Sequence, residues 1–586
     1  MAYHFLELDK RLKISKESQS NKLTDLPTAI ERDVRAGMIL HFTCINALPY
    51  VSIREIIRQT SGLGSQFEVI SLGSASQIQM LVAEGLVTKL ITSYAGDVYP
   101  KPGISPVFQR AVDISLEIEQ WSLLTLCLRL YAGALGIEFI PTNSLLESTM
   151  ATDNQDTYKI IPNPFNPDEE TGVIKKLVPD LSFVHAWAAD SLGNALIFPP
   201  YSENLWGCYA SKRVLVTAET IVDTDKIRKM INKQQCIVLP GSIVDFVVES
   251  PFGGHPGSHY GPSGGYDVDH DHLVNFRKAA KDASTLSSWM KEWVHGTSSE
   301  SYLQKCGLSN LAESYGRLAA PYWKLSVIAG IDKITIDHPA TPVEMMIWVA
   351  TQMIEERTKE KGYTTVLAGQ GASNLAAWLA TYSLQKKGHD VNLLAELGTY
   401  GYLPKPSSPF IFDVNNLRSS IAVNDSITAL GALLRTTRSL GVLGAGQIDQ
   451  YGNINSTRVG SFILFGSGGA NDVGANAQET IVLLPLRSGR FPEEVPYITV
   501  PGTNVSVCVT TGGVLEKIDG ETFSLTGYIG ETAKKNQIIA EMRETIEWEL
   551  EISNALKHFQ PPLPEWLRFL RSFDPDRYFL GRIGKQ

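Results

Sequence analysis

Glu396 is the residue of this sequence best placed to do chemistry. The apolar run Val391-Asn392-Leu393-Leu394-Ala395 reads as a strand and Gly398 supplies a turn just beyond it. The carboxylate is therefore expected to project from a strand end rather than from a helix surface. A carboxylate held there can attack a thioester carbonyl to form an acyl-glutamate anhydride, or act as general base toward water. A solvated loop acid is the plainer reading of the same residues. Three glycine-rich turns surround the argument: Gly369-Gln370-Gly371, Glu396-Leu397-Gly398, and Gly466-Ser467-Gly468-Gly469-Ala470-Asn471. Each follows an expected strand, where glycine lets backbone N–H groups approach an anion or a developing oxyanion.

Two other motifs carry less. Gly261-Pro262-Ser263-Gly264-Gly265 has the spacing of a nucleophile elbow, but its flanks HPGSHY and YDVDHDH suit a loop rather than the strand and helix that an elbow requires. The group His255, His259, Asp267, Asp269, His270, Asp271 and His272 has metal-ligand chemistry. It lacks an H-x-x-x-H helix or a cysteine partner, so a structured loop at a domain interface is expected and no metal is assigned. No G-x-G-x-x-G with an acid about 20 residues on is present, which disfavours a dinucleotide enzyme.

The elements that must position these groups form an α/β pattern. Val214–Glu219, Cys236–Pro240, Ile243–Glu249, Thr365–Ala368 and Ile481–Pro485 are short apolar runs separated by helical periodicity, the mark of parallel strands buried on both faces. Thr341-Pro342-Val343-Glu344 opens a helix as N-cap, first-turn proline and first-turn acid. An internal repeat is visible: Asp190-Ser191-Leu192-Gly193-Asn194 and Asp449-Gln450-Tyr451-Gly452-Asn453 each follow an apolar run. The expectation is two related open α/β/α sandwich domains with mainly parallel sheets, residues 1–305 and 341–586, joined by a linker over 306–340.

Composition bounds the function. The 586 residues are 43% hydrophobic with 52 Lys+Arg against 62 Asp+Glu, so the chain folds, and its net charge of −10 argues against a nucleic-acid partner. Six cysteines without a CxxC pair suggest reduced thiols. The charged amino terminus lacks the apolar stretch of a secretory signal, and Trp121–Ile140, broken by Arg129, Gly133 and Gly136, suits a packed helix better than a bilayer span. A cytoplasmic location without membrane contact is expected.

The second half resembles the β subunit of glutaconate CoA-transferase and its relatives among the family I CoA-transferases. Leu394-Ala395-Glu396-Leu397-Gly398, the stretch Gly446–Thr457 and Phe465–Asn471 carry the resemblance. The first half is similar to the α subunit through Pro49-Tyr50 with Glu55–Gln59, Asn163–Pro167 and Glu249–Pro256. The resemblance implies fused subunits and a CoA-transferase. Glu396 would be the catalytic glutamate that comes to carry CoA as a thioester, with Gly468, Gly469 and Ala470 providing backbone donors and CoA contacts. Gly369, Gln370, Gly371, Gly398, Gly466, Asn471, Gln447 and Asn453 would line the acyl-CoA site, and Glu147 is a candidate second pocket acid, a capping acid being the plainer reading. The substrates would be an acyl-CoA and a carboxylic acid, coenzyme A entering as thioester substrate with no tightly bound cofactor, and a homo-oligomer is expected. The family's Gly-Gly-Phe turn, which borders the acyl pocket, is replaced here by Leu40-His41-Phe42-Thr43-Cys44-Ile45-Asn46. The alternative is an acyl-CoA hydrolase, a ring-opening C–C hydrolase or a decarboxylase on the same fold, the last two being reactions of some relatives of the family; the retained Glu396 favours transfer.

Overall fold

The computed structural model describes residues 11–12, 21–231, 236–261, 264–318, 322–334, 338–518, 520–581 and 583. Pro262 and Ser263 of the elbow-like motif, and most of the charged amino terminus, lie outside the described residues.

Seven strands build the first sheet: β1 (Ile39–Phe42), β2 (Phe67–Ser74), β3 (Val87–Ala95), β4 (Glu117–Gln120), β5 (Leu181–Ala186), β6 (Val214–Ala218) and β7 (Phe246–Glu249). Their order is β7-β6-β5-β1-β2-β3-β4 and every neighbouring pair is parallel. The second sheet contains β8 (Thr365–Ala368), β9 (Asn392–Ala395), β10 (Thr399–Tyr400), β11 (Ala422–Val423), β12 (Ser439–Gly444), β13 (Glu479–Leu483) and β14 (Val505–Val509). It also holds β15 (Gly513–Glu516), β16 (Ser524–Ile529) and β17 (Glu551–Phe559). Its order is β11-β10-β9-β8-β12-β13-β14-β15-β16-β17. The run β14-β13-β12-β8-β9 repeats the first sheet's β7-β6-β5-β1-β2, again with parallel pairing throughout.

The repeat extends to single hydrogen bonds. After β5, Asp190 accepts at one carboxylate oxygen from Leu192 N (3.0 Å) and Asn194 N (2.9 Å) and at the other from Asn194 Nδ2 (2.8 Å). After β12, Asp449 accepts from Tyr451 N (3.0 Å), Asn453 N (2.9 Å) and Asn453 Nδ2 (3.0 Å). Gly193 (φ +94°) and Gly452 (φ +78°) take the left-handed conformation that closes each turn. Each asparagine then accepts from the next motif, Gly241 N to Asn194 Oδ1 (2.9 Å) and Gly502 N to Asn453 Oδ1 (2.8 Å). The Pro-Gly starts at 240 and 501 lead into β7 and β14 in the same way.

Alternation along the strands separates four hydrophobic clusters. In β5 and β6, Leu181, Phe183 and Leu215 face one core, while Val184, Ala186, Val214 and Val216 face the other. In the second sheet, Val366, Ala368, Leu393 and Ala395 pack under the helices Pro342–Lys361, Ala372–Lys386 and Pro564–Phe573. Leu367 and Leu394, on the opposite face, join one cluster with Leu123, Leu124 and Leu130 of helix Leu123–Leu135 from the first half. That helix is therefore the layer between the two sheets. The helix at 342 begins with the expected capping box of Thr341 and Glu344. Buried Glu344 also pairs with Arg571 (2.8 Å) and Arg577 (3.0 Å), locking the carboxyl-terminal helix onto the second half. Within 306–340, the expected linker, helices Leu308–Arg317 and Tyr322–Ala329 form. No helix among the described residues is long and apolar enough to cross a membrane.

Candidate active site

Alternation also aims Glu396. Leu394 faces the first half and Ala395 the opposite core, so the residue after Ala395 returns to the junction between the halves. The turn that follows needs Gly398: its φ is +119° and a Cβ there would collide with the Asn424 carbonyl. Glu396 lines a cavity of about 190 Å³ whose walls come from both halves. Cys44 and Ile45 stand just past β1, Ser93 and Tyr94 at the end of β3, and Gln370 just past β8, so the carboxyl ends of the two sheets meet there. Ligands of open α/β sheets bind at these ends.

The Gly466–Asn471 turn is clamped by the first half. Gly468 donates its amide to the Ser93 carbonyl (2.9 Å) and accepts at its own carbonyl from Leu123 N (2.9 Å). Ala95 N donates to the Phe465 carbonyl (2.7 Å), and the Tyr94 and Phe465 rings stack with centroids 6.2 Å apart. Gly466, at φ +112°, has no room for a side chain against Gln120 and Ser93. Asn471 Oδ1 accepts from Leu145 N (3.0 Å) while its Nδ2 donates to the Thr499 carbonyl (2.9 Å). Asp472, fully buried, caps helix Leu123–Leu135 by accepting from Ser122 Oγ (2.6 Å) and Leu124 N (2.9 Å). A carboxylate at a helix amino terminus is favoured by the dipole and by the unpaired N–H groups.

This clamp leaves one amide of the turn pointing at the acid: Gly469 N donates to Glu396 Oε2 at 3.1 Å. A methyl group at 469 would run into the same oxygen. Burial raises the Glu396 carboxyl to about 7; the Gly469 hydrogen bond opposes that rise, and the nearby Asp472 charge adds to it. Burial likewise lifts Asp472 to about 6. Gln370 shares the cavity wall; its Oε1 accepts from Ile411 N (2.9 Å) and its Nε2 is buried without a partner.

Of the expected site residues, Glu396, Gln370 and Gly468 line the cavity itself, and the rest either shape the turns beside it or lie away from it. Gly369 and Gly371 shape the turn that carries Gln370, with Gly371 (φ +131°) donating to Asn374 Oδ1 (2.6 Å) at the start of the next helix. Ala470 begins helix Ala470–Asn476 and donates to the Ser467 carbonyl (3.0 Å). Outside the cavity lie Asn453, bound within the Asp449 turn, and Gln447, which accepts from Asn455 Nδ2 (2.8 Å) and donates to the Gly489 carbonyl (2.9 Å). Glu147 is exposed at a positive φ of 60° and does not line the cavity. The stretch 40–46, expected beside the acyl pocket, supplies Cys44 and Ile45 to the cavity, whereas sequence reasoning missed Ser93, Asp472 and the walls at 48–50 and 72–77. The histidine-rich loop packs where a domain interface was expected: Tyr260 contacts Val414 of the second half, and Asp269 caps helix His270–Ala279. His255 there pairs with Asp269 (3.2 Å) and Tyr302 (2.8 Å). His185, Glu219 and His259 are close enough to share a cation, but His185 Nε2 already bonds Glu219 Oε1 at 2.7 Å.

Residues 23–250 match the model of one class of protein, the Coenzyme A transferase family. The chain is homologous to both kinds of subunit of one enzyme of that class, glutaconate CoA-transferase of Acidaminococcus fermentans, consistent with a fused arrangement. To the first of these subunits it is 27% identical over 314 residues, covering 50% of this chain and 93% of the relative. To the second it is 27% identical over 172 residues, 25% of this chain and 62% of the relative. The fold matches the Escherichia coli O157:H7 acyl-CoA transferase solved as a thioester complex with CoA, with TM-score 0.63, 15% identity, and coverage of 98% and 99% of the two chains.

Proposed function

We propose that this chain transfers CoA from an acyl-CoA to a carboxylic acid with Glu396 as the covalent carrier. The Glu396 carboxylate attacks the thioester carbonyl, the carbon–sulfur bond breaks, and CoA leaves as thiolate with an acyl-glutamate anhydride behind it. The thiolate then attacks the glutamyl carbonyl, releasing the acyl group as a free carboxylate and leaving glutamyl-CoA. An acceptor carboxylate reverses both steps with its own acyl group. Each half-reaction exchanges one anion for another, so no net proton or electron is consumed.

The observation that carries this reading is the Gly469 amide held 3.1 Å from Glu396 Oε2 in a cavity shared by both halves. A backbone donor fixed by the fold orients the attacking carboxylate before substrate arrives and stabilises its charge without reorganisation. The unpartnered Gln370 Nε2 offers a second donor on the cavity wall, suited to a carbonyl oxygen on which charge develops. The names of the relatives, CoA-transferases of glutaconate, agree with this chemistry.

Isotope exchange tests the reading. With an acyl-CoA and its own labelled free acid as the sole second reactant, label should enter the thioester pool and exchange should vanish in Glu396→Gln. Loss of thioester at the same rate without any free acid, with water as acceptor, would contradict it.

A further inference from the structure

We infer that the cavity beside Glu396 receives an uncharged, apolar acyl group and that Ile45 sets the room it has. The inference rests on the acyl-CoA reading above and narrows it to a substrate class.

The walls are hydrocarbon: Leu48, Leu72, Val98, Leu123, Phe276 and Phe412 line the space. Apart from Gln370 Nε2, beside the reacting acid, the main polar groups among them bond their neighbours. Tyr50 Oη shares a hydrogen bond with Ser76 Oγ (2.7 Å), Tyr94 Oη donates to the Asp97 carbonyl (2.7 Å), and Ser93 Oγ donates to the Leu72 carbonyl (2.6 Å). A pantetheine arm, with two amides to satisfy, finds few partners here, whereas an alkyl or aryl group needs none.

Charge decides against a second carboxylate. Arg277 is the single Lys, Arg or His among the described lining residues, and its Nε pairs with Asp97 Oδ2 at 2.7 Å while one terminal nitrogen donates to the Lys101 carbonyl at 2.9 Å. An ω-carboxylate would enter a space whose one cation is already matched and whose other charged groups are Asp97 and Glu396. Burying such an anion unpaired is unfavourable.

Ile45 marks where the size limit is built. It is a β-branched residue at φ +50°, a left-handed conformation that glycine adopts freely and isoleucine does not. Neighbours impose it: Asn46 Nδ2 donates to the Tyr260 carbonyl (2.8 Å), Tyr260 N donates to Asn46 Oδ1 (2.7 Å), and Thr43 Oγ1 donates to the Ala47 carbonyl (2.6 Å). The strained residue forms part of the cavity wall. Strain of this kind gathers at functional sites.

The test uses Glu396→Gln, which cannot form the anhydride, titrated with hexanoyl-CoA and with adipoyl-CoA, thioesters of equal chain length that differ by a terminal carboxylate. Hexanoyl-CoA is expected to bind at least tenfold more tightly. Equal or tighter binding of adipoyl-CoA overturns the inference, as does failure to bind either. Transfer by the wild-type chain from each thioester to acetate is measured alongside. A hexanoyl preference in binding without any transfer would sink the transfer reading and leave the cavity assignment standing; preferred transfer from adipoyl-CoA would do the reverse. For Ile45, the double variant Ile45→Gly/Glu396→Gln should melt no lower than Glu396→Gln and shift the benzoyl-CoA to hexanoyl-CoA affinity ratio toward benzoyl by at least tenfold. An unchanged ratio in a folded variant overturns its role.

Discussion

Gly469 donates its backbone amide to the Glu396 carboxylate across 3.1 Å, and the amide is aimed there by a turn that the first half of the chain holds at Ser93, Leu123 and Leu145. Acid and donor come from the second half, yet their alignment depends on the first. Fusion in one chain keeps that alignment independent of concentration.

Gly469→Ala is expected to lower kcat by about 100- to 1,000-fold, the effect of losing one oriented donor. Its φ of −83° suits alanine, so the chain should stay folded while the added methyl displaces the Glu396 carboxylate. Steady-state kinetics with an unchanged circular dichroism spectrum is the check; wild-type turnover would refute the alignment argument.

The rate should titrate with Glu396. Its carboxyl sits near 7 because of burial, and attack needs the ionised form, so kcat/KM should fall about tenfold per pH unit below 7 and level off above it. A profile flat down to pH 5 would show an acid that titrates as an ordinary glutamate.

The same shift costs stability. The folded-state value of about 7 lies above the unfolded 4.5, so below pH 4.5 both states are protonated and no cost arises. The cost grows as pH rises from 4.5 to 7 and is complete above it. Glu396→Gln should therefore melt higher than wild type at pH 8, by on the order of 2 kcal/mol in stability, and equal it at pH 4.

Asp472→Ala leaves the Ser122–Thr125 capping box of helix Leu123–Leu135 but removes the buried acceptor for Leu124 N and Ser122 Oγ. A loss of about 2–4 kcal/mol in urea unfolding is expected. Because the helix is the layer between the sheets, turnover should fall as well.

The repeated turns give a matched pair. Asp190→Ala and Asp449→Ala break the same three turn hydrogen bonds and should destabilise by roughly 2–3 kcal/mol each, Asp449→Ala the more because Asp449 Oδ2 also accepts from Val495 N (3.2 Å). Neither turn lines the cavity, so KM for the thioester should hold in each, and in Asn453→Ala. A selective rise of KM in Asn453→Ala would put that turn in contact with CoA.

Much of this was legible in the sequence because its causes are local. Val214–Ala218 and Thr365–Ala368 are continuous apolar runs since both faces of each strand are buried, and Thr341 with Glu344 announces its helix through a cap. The Asp-x-x-Gly-Asn turns were visible for the same reason, and the alternation that aims Glu396 follows from strand period once Leu394 is placed. Asp472 was not legible: its partner, Ser122, lies 350 residues away. Ile45 belongs to the stretch set against the family's Gly-Gly-Phe turn, but its positive φ, held in place through Tyr260, leaves no mark on residues 43–47. The edge strand Glu551–Phe559, with a single buried residue at its end, has too weak an alternation to announce itself.

Passage of CoA through Glu396 can be read from the protein directly. Wild-type enzyme is incubated with an acyl-CoA, treated with borohydride, digested, and the peptide bearing Glu396 is weighed by mass spectrometry. Reduction of the Glu396 thioester to an alcohol is expected, dependent on acyl-CoA and absent when excess acceptor acid discharges the enzyme first. An unmodified Glu396 in enzyme that is turning over acyl-CoA would contradict it.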